Sequence, residues 1–202
     1  MKLEKFFLTL KENRSWLILA IFFFIGGFIL TYLSLSQDPE FFTFIEETFQ
    51  TVLAELEDEV IDISPLQMFF FYFTRNLTAI LYISFLGIVL GIPSLFSAIV
   101  NGSVLGLLTF QLSRQGVATV PFLLAGIVPH GIFEFPAFFL SVALGLKLGY
   151  HVVFPLPNLS RGHTLRKIFG EVFSSLPYIV VLIALAALVE AFITPLFLAS
   201  YF

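Results

Sequence analysis

From Trp16 to Leu35 the sequence runs for twenty residues without a charge, and further predominantly apolar runs follow at 66–92, 94–112, 117–150 and 169–197. A helix needs about 20 consecutive apolar residues to cross the roughly 30 Å hydrocarbon of a bilayer. Composition agrees: 58% of residues are hydrophobic and 12% charged, against roughly half and a quarter in an average chain. The excess apolar surface has to face lipid, and 28 Phe supply bulk without polar atoms. The sequence therefore predicts an all-α, polytopic membrane bundle in one integral membrane domain, 1–202, with about five transmembrane helices.

The pieces follow in order. A basic start (Lys2, Lys5, Lys11, Arg14) precedes the first span, 16–35. That run is longer than the 7–15-residue core of a signal peptide and ends without a small-x-small site, so it is expected to be retained. Over 37–64, Phe41, Ile45, Phe49, Val52, Leu56, Val60 and Ile63 recur at helical steps of three or four. This predicts an external amphipathic helix. Lipid-surface helices are rich in Lys and Arg; this one is acidic, so it is expected to pack on its own protein or on a partner. Spans 66–92 and 94–112 follow, with Pro65 placed as a helix start.

The stretch from Val117 to Tyr150 is 34 residues, or about 51 Å as one helix, too long for one crossing. Pro129-His130-Gly131 lies inside it. A break at Pro129 and Gly131 would divide it into a half-helix, 117–129, and a span, 131–150. A basic polar loop, 155–168, leads to the last span, 169–197.

Charge orients the chain. Nine of the fourteen acids fall between Asp38 and Asp62, a segment with no Lys or Arg, whereas all ten basic residues lie elsewhere. Cytoplasmic loops carry the Lys/Arg excess, so residues 1–15 and 155–168 are expected inside and the acidic segment outside; only Arg114 dissents. The expectation is a multi-pass protein of the inner or plasma membrane with a cytoplasmic N-terminus. Its partners would be membrane lipids, a protein held by segment 38–62, and, where the glycines below face another chain and not the same bundle, a second copy of itself.

Helices in lipid associate where small residues let backbones approach. Gly87 and Gly91, Gly102 and Gly106 (with Ala98), and Gly145 and Gly149 offer such a face on three successive spans.

Ionisable groups within a membrane are costly and usually do something. Arg75, His130, Glu134 and Glu190 qualify, with Asn76 and Asn101 as buried amides. His130 and Glu134 are four apart and share a helix face. A cluster of His130, Glu134 and Glu190 would fasten helices, relay protons or ions, or ligate a metal, for which imidazole and carboxylate are suitable. No HExxH or GxSxG motif, Gly-rich phosphate loop or Cys is present, and nothing supports nucleic-acid binding. The sequence assigns no catalytic residue, no metal and no cofactor.

Asn76, Gly87, Asn101-Gly102 with Gly106, PHGIFEFPA at 129–137, Gly145, and Glu190 within ALVEAFITP together resemble the stage II sporulation protein M family of integral membrane proteins. The resemblance covers roughly 65–200. It implies a membrane protein without assigned catalysis, whose namesake anchors partners that degrade cell-wall peptidoglycan; relatives occur widely in organisms that form no spores. The expected function is a scaffold or membrane-organising protein. The alternatives are a small ion, proton or solute transporter or channel built on the His/Glu cluster and, more weakly, a metal-dependent membrane enzyme.

Overall fold

The computed structural model describes residues 3–38, 40, 42–43, 45–47 and 64–201. Among them the regular structure is all helix: α1 (Leu3–Glu12), α2 (Arg14–Gln37), α3 (Pro65–Leu86), α4 (Ile92–Arg114), α5 (Thr119–Gly126), α6 (Val128–Val153), α7 (Arg161–Phe192) and α8 (Thr194–Tyr201). Five of these, α2, α3, α4, α6 and α7, are long and apolar enough to cross a membrane. The protein is a multi-pass α-helical membrane bundle. Such a chain must satisfy its backbone internally, and helices do this segment by segment.

Helix α6 is the centre. Every residue from Leu140 to Gly149 is buried, and α2, α3, α4 and α7 all contact it. One core joins Leu140 and Leu144 to Ile80 on α3 and to Ile179 and Ile183 on α7. A second joins Phe138 and Val142 to Ala20 on α2 and Ala98 on α4. Large apolar side chains such as Phe22, Phe96 and Ile132 point outward, the surface that lipid requires.

The glycines set the spacing. A methyl on Gly102 would strike the Phe24 carbonyl, one on Gly106 would lie 2.6 Å from the Phe28 carbonyl, and one on Gly27 would meet Ile99. So α2 and α4 touch backbone to backbone. Gly145 likewise admits Ser94 and the Ile83 carbonyl, where Ser94 Oγ donates to Ile83 O at 2.7 Å. Gly149 admits the tight α3–α4 turn.

Several boundaries differ from the sequence expectation. Helix α3 stops at Leu86, not 92: Leu90 and Gly91 take positive φ, so Gly87 and Gly91 belong to the turn that seats on α6 and not to one packed helical face. The break in the 117–150 stretch falls at Ile127, not at Pro129 and Gly131. Pro129 lies in the first turn of α6, where its missing N–H costs nothing, and Gly131 is buried within the helix. The half-helix accordingly covers Thr119–Gly126 and packs on α8. The polar loop ends at Ser160, whose Oγ accepts from His163 N and caps α7, so Arg161, Arg166 and Lys167 ride on a helix. The last span breaks at Ile193, ahead of Pro195.

Most of the expected acidic helix, 37–64, lies outside the described residues. At its start, Phe42 is buried against Leu35, Leu107 and Phe110, and Arg114 lies 5.2 Å from the Phe42 ring. At its end, Ser64 and Gln67 form a capping box for α3, with Ser64 N donating to Gln67 Oε1 at 2.8 Å. Ser64→Ala removes this cap and is expected to lower stability by about 1 kcal/mol, read as a small drop in melting temperature in detergent.

At the opposite end, Trp16 packs against Tyr150 (5.5 Å between ring centres) and Tyr150 against Phe154 (5.0 Å), both at a tilt. Such amphipathic rings sit at headgroup level.

Candidate functional site

The start of α6 supplies two functional groups from one face, His130 and Glu134. Glu190, in the last turn of α7, comes to meet them. One ligand atom from each of the three lies within 4.8 Å of the others. The α7–α8 break allows this: by bending the chain at Ile193 it brings Thr194 to the same place, where Thr194 Oγ1 stands 3.4 Å from His130 Nδ1. All three clustered residues are half-buried, and Glu190 Oε2 is fully buried without a hydrogen-bond partner.

Arg75 stands outside this cluster. It occupies the midpoint of α3 on an outward face, 6.0 Å from the Phe71 ring, and closes no ion pair with Glu134 or Glu190, although its charge acts on both.

Beside the cluster runs a cleft of about 250 Å³ between α2, α4 and α6, lined by Phe24, Asn101, Val104, Leu108, His130 and Glu134 among others. It has room for several waters, and its convergent polar groups give them partners. Asn101 is exposed at the mouth rather than buried as expected, with its amide donating to Ser97 O at 2.8 Å. Asn76 is half-buried on α3 and does not line the cleft. The structure thus unites His130, Glu134 and Glu190, places Asn101 across the cleft, and leaves Asn76 apart.

A second polar centre escapes the sequence reading. Lys147, 9% exposed, lies in the buried half of α6. Its Nζ pairs with Glu171 of α7 and donates to Asn13 Oδ1, between α1 and α2, at 2.9 Å. Asn13 is itself fully buried and donates to Thr9 O. The signal was present: Lys147 is an intramembrane charge by the same criterion that marks Glu134. His151 and His163 serve helix ends instead, His151 Nδ1 bonding Phe154 O and His163 Nδ1 meeting Ser160 Oγ.

Chemically, the His130 cluster offers one imidazole and two carboxylates to a polar cleft. It can bind a cation, and among the described residues it is the group of His, Asp and Glu whose spacing suits a metal ion.

The family model described as stage II sporulation protein M matches residues 17–195. An uncharacterized protein of Methanocaldococcus jannaschii, MJ0706, is 28% identical over 189 residues, 91% of this chain and 83% of that protein. Another from the same organism, MJ0793, is 29% identical over 122 residues, 60% of this chain and 68% of its own length. No solved structure matches.

Proposed function

We propose that this chain, which belongs to the stage II sporulation protein M family, is a non-enzymatic scaffold that holds a partner at the cell membrane through its acidic segment 38–62, with its N-terminus in the cytoplasm. The observation that carries this is the locked bundle. Backbone comes within contact of its neighbour at Gly27, Gly102, Gly145 and Gly149, so α2 and α4, and the α3–α4 turn and α6, are held too close at these points to slide. Close-packed interiors of this kind transmit strain rather than deform, which suits an anchor. The orientation is supported by the Lys and Arg residues of 1–15 and 155–168, against the nine acids of 38–62.

The cleft at His130 and Glu134 favours a second reading, passage of an ion or small solute. Reconstituted liposomes separate the two. The wild type is expected to show no proton or cation flux above empty vesicles. Deleting 38–62 is expected to leave insertion intact and to lose partner recovery in a pulldown from native membranes. A wild-type flux that disappears in Glu134→Gln would overturn the scaffold in favour of transport, and unchanged recovery after the deletion would remove the acidic segment as the docking element.

A further inference from the structure

We infer that His130, Glu134 and Glu190 form a binding site for one divalent transition-metal ion, which ties the start of α6 to the end of α7. The inference does not depend on the scaffold function. Three observations converge on it.

The first is the donor set. An imidazole nitrogen and two carboxylate oxygens lie within 4.8 Å of one another. Ligands on bonds of about 2.1 Å around a tetrahedral ion stand about 3.4 Å apart. Rotation of the two Glu side chains closes that difference. Imidazole among the donors favours a transition metal over magnesium or calcium.

The second is an unmet demand. Glu190 Oε2 is sealed from solvent and has no hydrogen-bond partner. A buried carboxylate oxygen left unpaired is costly, and the nearby Arg75 forms no ion pair with it. A divalent ion between Glu134 and Glu190 balances both carboxylates at once.

The third is support and access. Thr194 Oγ1, 3.4 Å from His130 Nδ1, orients the ring; with the hydroxyl accepting from Nδ1–H, the Nε2 lone pair is left for the metal. Holding the far ring nitrogen is the usual way a ligating His is positioned. The cleft that reaches His130 and Glu134 gives the ion a path in and leaves its remaining coordination positions open to water.

The test uses the purified full chain in detergent, stripped with chelator and titrated with Zn²⁺ alone. One ion per chain is expected by calorimetry and by metal analysis. The melting temperature is expected to rise by about 5 °C or more when free zinc exceeds Kd a hundredfold. Glu190→Gln and His130→Asn are expected to weaken binding at least tenfold, whereas His151→Ala with His163→Ala leaves it unchanged. Co²⁺ bound to the wild type is expected to give the ligand-field absorption of an ion held by nitrogen and oxygen, a readout that needs no variant to fold. No saturable binding, loss of binding in the His151/His163 variant, or a Co²⁺ spectrum indistinguishable from the aqueous ion would overturn the site.

Discussion

Gly149→Ala is expected to destabilise the bundle by about 3 kcal/mol or more, the upper range for overpacking a core. The added methyl would land on the backbone of Leu90 and Gly91. Neither can rotate aside, because Gly91 already holds φ +73° to make the α3–α4 turn. Relief would require lifting the turn off α6. That would pull Ser94 from the Ile83 carbonyl and disturb the packing at Gly145 one helical turn away. The control is Gly26→Ala, where a methyl meets nothing within 4 Å. In mid-helix this change is expected to be neutral or to stabilise by about 0.5–1 kcal/mol. Trp16, the single tryptophan, packs against Tyr150, the neighbour of Gly149, so its fluorescence reports the melt directly. Equal melting temperatures for the two variants would show that the turn yields more easily than its geometry indicates.

Lys147→Met is expected to cost about 3 kcal/mol. Removing one member of a buried ion pair leaves the other charged and unmatched, and such losses run to 3–5 kcal/mol. The low end applies because the Glu171 side chain keeps 20% of its exposure. Asn13 Oδ1 loses its donor as well, so the damage reaches the α1–α2 junction. Adding Glu171→Gln to Lys147→Met is expected to recover at least half of the loss, since the stranded charge is gone. Thermal melts of the two single variants, the double variant and the wild type complete the cycle. A double variant no better than the single one would mean that Lys147 acts through its aliphatic chain and not its charge.

Much of the fold was legible in the sequence because lipid imposes a simple rule. Uncharged runs near twenty residues, such as 16–35, have few other places to go. Boundaries were less legible. Pro129 reads as a breaker, yet the first turn of a helix tolerates proline; with Gly126 before it, Pro129 marks a helix start just after the break at Ile127. Arg161, Arg166 and Lys167 read as loop, while Ser160 caps a helix ahead of them. The glycines were recognisable by spacing, but spacing names no partner: Gly102 meets α2, whereas Gly149 meets a turn that Gly91 itself forms. His130 and Glu134 were legible as neighbours, four apart on one helix. Their meeting with Glu190 depends on the bend at Ile193 and on how α7 lies against α6, which no local pattern encodes. Lys147 was hidden by company, a single cation within ten buried residues.

The order in which the chain is made gives that lysine a further consequence. Lys147 leaves the ribosome 24 residues before Glu171, a lag of about 1–5 s at ordinary rates of synthesis. During that interval α6 carries an ammonium group in its most apolar stretch with its principal counter-charge still unmade. The centre of the molecule therefore lacks its ion pair until α7 is made, and a chain cut short before Glu171 keeps Asn13 as a partner for that lysine but has no carboxylate to match it.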